Sequence, residues 1–179
     1  MNDRQPDVIT VVITRVDGGV SVMRVITAEY APDGAGGRVA RWTVDPTPTY
    51  IASLIAKHNW QGPKAPVSWR IVPNDYVDEG TDRYFRNAWK DTAGKNNPDV
   101  DMPKAREIHR DKLRALRVPL LAALDTDFMR AIETNDRPAQ TLIAAKKQVL
   151  RDVTADPRID AATTPEELKA VIPAALIGG

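Results

Sequence analysis

The sequence predicts an α+β fold: a small amino-terminal unit of β-hairpin, sheet and one helix, then a carboxy-terminal helical hairpin with a short third helix. Three observations carry this. β-branched and period-2 stretches occupy the first part of the chain. Beyond residue 100 the apolar residues recur at helical spacing instead. Between the two, "DTAGKNNPDVD" combines Gly, Asn and Pro with no apolar period. The expected organisation is therefore an α+β domain over 1–92, a linker over 93–100 and a helical region over 101–179.

The elements follow in order. "VITVVIT" from Val8 is rich in β-branched residues and reads as a strand. Asp17, Gly18 and Gly19 supply the turn of a tight hairpin, and Val20, Met23 and Val25 belong to the returning strand. "APDGAGGRVARW" reads as a loop with a short strand over 38–43. After Pro48, residues Tyr50, Ile51, Leu54 and Ile55 share one face of an amphipathic helix. "PVSWRIV" alternates, placing Val67, Trp69 and Ile71 on one strand face between Pro66 and Pro73.

In the helical region Ala105, Ile108, Leu113, Leu116, Leu120, Leu124, Phe128 and Ile132 recur every three to five positions. Pro119 interrupts this run; it removes an amide donor and clashes with the preceding turn, which predicts a kink or break. "ETNDRP" makes a turn, and Leu142, Ile143, Val149, Leu150 and Val153 mark a second helix. In "TTPEEL" Thr164 caps, Pro165 suits the first helical position and Glu167 completes a capping box. Pro173 ends this third helix.

Composition excludes several classes of function. Twenty-five basic residues against 24 acidic ones leave a net charge of +1, unlike the large basic excess of a general nucleic-acid binder. With no cysteine there is no disulfide, thiol nucleophile or thiolate metal site. The start "MNDRQPD" is polar and no apolar run approaches the roughly 18 residues of a membrane span. The expectation is a soluble protein made in a cytoplasm, with no membrane partner.

No catalytic constellation is expected. His58 and His109 fall on different elements without ligand-like spacing, and His109 in "REIHRDKLR" reads as part of a solvated helix face. Asp99, Asp101, Asp125 and Asp127 form two short acidic pairs that lack the pattern of a calcium loop, so turn and cap roles are expected. "DGAGGR" has neither the dinucleotide nor the phosphate-loop spacing, and Ser21, Ser53 and Ser68 lack a hydrolase glycine elbow. The reading is non-enzymatic, with no cofactor and no metal.

One helix segment is basic, with Lys104, Arg106, Arg110, Lys112, Arg114 and Arg117 against Glu107 and Asp111. Phosphate binding is one reading. Ion pairs from Glu107 to Arg110 and from Asp111 to Arg114 would consume part of the charge, which favours a solvated or interface face.

Four blocks in sequence order, "DRYFRNAW", "VDMPKAREIHRDKLRALRVPLLAALDTDFMRAIE", "IAAKKQVLRDV" and "ATTPEELKAV", resemble a family of small tailed-bacteriophage proteins. Members also occur in prophages of proteobacteria, often beside tail or tail-fibre genes. "DGGVSVM" resembles that family's amino-terminal hairpin. The resemblance covers residues 16–25 and most of 81–171, while 31–44 and the polar start have no counterpart. It implies a non-enzymatic structural protein of the phage virion, in the tail or neck, made in the host cytoplasm. Its expected partners are other virion proteins and copies of itself, with nucleic acid disfavoured. A tail-fibre assembly chaperone is the first rival; a nucleic-acid-binding phage protein using the basic segment is the second. Within the helical region, Leu113, Leu116, Leu120, Leu124 and Phe128 are the interface candidates.

The stretch "TDRYFRNAWKD" interleaves basic and aromatic residues, a pattern that serves either single-strand binding or packing. Lacking a basic groove, it is read as a latch between the two parts of the chain. Phe85 and Trp89 are expected on one helical face with Tyr84 beside them. Arg83 and Arg86 are expected to stack on the rings or to pair with carboxylates.

Overall fold

The computed structural model describes residues 8–26, 28–43, 47–78 and 81–177. The polar start at 1–7 and the last two glycines of the expected helical region lie outside them. The architecture is α+β. It divides into two compact units, Met1–Asp99 and Val100–Gly179.

The first unit is built on β1 (Val8–Arg15), flanked by antiparallel β2 (Val20–Ile26) and, much later in the chain, β5 (Pro66–Val72). The β1–β2 turn uses Gly18 at φ 73°, a left-handed conformation that glycine adopts without a Cβ penalty. The Asp17 carboxylate accepts from the Gly19 amide and bridges Arg15, which closes over the turn. A Cβ on Gly19 would lie 2.2 Å from an Arg15 guanidinium nitrogen, so this second glycine makes room for that lid.

Both faces of β1 are buried. On one, Val11 and Ile13 join Val25 of β2 and receive Ile51 and Ile55 of α1 (Pro48–Lys57). α1 starts where expected, with Thr47 accepting from the Tyr50 amide and Pro48 in the first turn. β5 contributes Trp69 to this cluster, in register with Ile13. Its neighbours Val67 and Ile71, expected on the same buried face, are 66% and 48% exposed. The cluster centres on β1 and β2, and β5 lies at its margin. β3 (Ala28–Pro32) and β4 (Arg38–Thr43) form a separate two-stranded ribbon, with β4 where the sequence placed a strand and only the last two residues of β3 inside the stretch it placed as loop.

In the second unit α2 (Met102–Glu133) begins at Asp101, whose side chain accepts from the Lys104 amide, and runs for 32 residues. The break allowed for at Pro119 does not occur: the helix is continuous through it. The carbonyl deprived of its donor belongs to Ala115, one turn back. Both Ala115 and Pro119 are exposed, so the freed carbonyl is not sealed in a dry core, where losing its partner would cost most. Asn135 at φ 52° turns the chain, and Asp136 caps α3 (Arg137–Asp152) by accepting from the Ala139 amide. A 3-10 turn at Val153–Ala155 leads to α4 (Pro157–Ala161) and α5 (Pro165–Ala170). α5 carries the complete expected capping box of Thr164 and Glu167.

The buried positions of α2 are Ala105, His109, Leu113 and Ala131. His109, expected in solvent, is 1% exposed; its Nε2 lies 2.8 Å from the Val171 carbonyl oxygen. A carbonyl only accepts, so Nε2 carries the proton. The imidazole sits on the stripe that runs through Ala105, His109 and Leu113 at intervals of one turn, which the expected stripe bypassed through Ile108.

Candidate functional site

Segment 81–92 is not helical across its aromatics. Phe85 precedes a single 3-10 turn, Arg86–Ala88, and Trp89 opens β6 (Trp89–Lys90), which pairs with β7 (Asp99–Val100). The expected shared helical face of Phe85 and Trp89 is therefore replaced by a tight turn. Both side chains are nonetheless buried, at 3% and 6% exposure. Tyr84 is half-buried and meets Phe85 edge to face at 4.6 Å. Neither Phe85 nor Trp89 offers an open ring to a nucleobase.

Arg83 and Arg86 are exposed. The arginine that ties this region is one the sequence reading missed. Arg70, on the second face of the sheet, donates to both carboxylate oxygens of Asp91 at 2.8 and 2.6 Å and to the Lys95 carbonyl at 3.1 Å. The Tyr76 hydroxyl donates to the same Asp91 at 2.9 Å, and its fully buried ring lies beneath the guanidinium. The Arg70 hydrogen bond holds the Asp91 carboxyl below the usual carboxylate range. Burial, reinforced by Asp91, pushes the Tyr76 phenol well above its ordinary range.

Two further ties fix the segment after β5 to this face. Arg24 donates to the Val77 carbonyl, and Asn74 both accepts from Thr10 and donates to the Val8 carbonyl. The residues after β5 thus close the sheet's second face, over buried Thr10, Val12 and Val72. The stretch 93–99 belongs to the same unit, with Lys95 bridging Asp99 at 2.8 Å.

The basic segment of α2 is largely engaged at home. Arg106 donates to the carbonyls of Ile159 and Ala162, and Arg110 to that of Thr154 as well as to Glu107 and Asp160. Arg117 donates to the Arg151 carbonyl. Each acceptor lies at or near the end of a short helix or helical turn, where carbonyls lack intrahelical donors. Three guanidiniums therefore fasten α3, the 3-10 turn and α4 onto α2. The expected pairs Glu107–Arg110 and Asp111–Arg114 are both present, at 2.8 and 2.6 Å.

The candidate interface leucines divide. Leu113 is buried in the unit's own core; Leu120, Leu124 and Phe128 are half-buried; Leu116 is 55% exposed. The Phe128 ring lies under Lys147 of α3, which also bridges Asp125. Most of this stripe is thus home packing. Besides Leu116, uncovered apolar residues of α2 lie on the other side: Val118 is 62% exposed, Met129 56% and Ile132 46%, with Ala115 and Ala122 also in solvent.

Of the acidic pairs, Asp101 caps α2 as expected and Asp99 closes the 95–99 turn. Asp125 and Asp127 take neither role; they form ion pairs within the helical hairpin, with Lys147 and Arg130. His58 caps the end of α1 and stacks on Trp60. Among the described residues no group of three or more His, Asp or Glu side chains is placed to hold a metal ion. No helix among them is long and apolar enough to cross a membrane. Comparison with protein-family models, with curated proteins and with solved structures finds no match to this chain.

Proposed function

We propose that the chain is a non-enzymatic structural protein of a bacteriophage virion, placed in the tail or neck and acting through protein–protein contacts. The phage setting rests on the four sequence blocks and their order. The single observation that carries the contact reading is the apolar face of α2 left in solvent, with Val118, Met129 and Ile132 each about half exposed or more. A helix whose far side is apolar fits a surface that another protein covers. The nucleic-acid reading draws less support, because Arg106, Arg110 and Arg117 are engaged with carbonyls and the 81–92 rings are buried.

Mass spectrometry of density-purified particles tests this. The expected result is the chain at a fixed ratio to known tail or neck proteins. Abundance in the lysate with absence from particles would instead favour the assembly-chaperone reading.

A further inference from the structure

We draw no further inference here: the strongest candidate, the exposed apolar margin of the three-stranded sheet at Val67 and Ile71 of β5, carries nothing because no feature of the structure shows what covers it.

Discussion

The central strand of the first unit and the long helix of the second treat apolar surface in opposite ways. β1 buries residues 10 to 13 consecutively, because α1 covers one face and the residues after β5 close the other. α2 buries four of its 32 residues and leaves Val118, Met129 and Ile132 in water. A strand covered on both sides has no face to offer a partner. A helix covered on one side by α3 and the short carboxy-terminal helices has a second face available. The first unit also leaves Val67 and Ile71 of β5 in water, and interaction is proposed on the long helix of the second.

The largest expected effects test the packing side of this contrast. Trp89→Ala should cost about 3–5 kcal/mol in denaturant unfolding, since it empties a buried site. Leu113→Ala should cost about 3 kcal/mol for the same reason. On the far side of the same helix, Met129→Ala should change stability by no more than about 0.5 kcal/mol. Equal losses at Leu113 and Met129 would erase the distinction between the two faces.

The polar closure of the first unit gives a smaller effect with a pH signature. Asp91→Asn should cost about 1–2 kcal/mol near neutrality, reduced from a fully buried value because Arg70 is one-third exposed. The folded Asp91 carboxyl titrates below its unfolded value of about 4, so its contribution is complete above that value and is lost as pH falls through the folded one. Tyr76 works at the other end. Its folded value is raised, so its contribution is present below the unfolded value of about 10 and is lost with deprotonation above it. The stability difference between parent and Asp91→Asn should therefore shrink in acid, and a difference unchanged down to pH 2 would contradict the pairing. Smallest of all, Thr164→Ala should cost about 1 kcal/mol through loss of the α5 cap, read as faster amide exchange over 166–170.

Local signals in the sequence translated well and distant ones did not. The hairpin glycines, the helix start at Pro48 and the Thr164–Glu167 box depend on residues within a few positions of each other, and each appears in the structure. The Arg70–Tyr76–Asp91 cluster joins residues 15 and 21 positions apart across a loop, so no periodicity announces it. Arg106 and Arg110 look like a charged face because their acceptors, carbonyls 44 to 56 positions away, leave no trace in side-chain composition. His109 was misplaced by its chemistry: polarity argued for solvent, while its position on the 105–109–113 stripe decided for the core.

The interface residues show the same limit. Helical spacing identified α2 as amphipathic, yet α2 carries apolar residues on more than one face. Sequence alone gave no reason to assign Leu120, Leu124 and Phe128 to home packing and Val118, Met129 and Ile132 to solvent. The position of α3, with Lys147 over Phe128 and against Asp125, decides it.

Met129→Glu tests the central claim most directly, because it places a charge in the middle of the uncovered face without touching the buried one. The variant should melt like the parent, sediment as a monomer at concentrations where the parent associates, and be missing from purified particles. Normal association and normal incorporation of a well-folded Met129→Glu protein would contradict the assignment of interaction to this face of the helical unit.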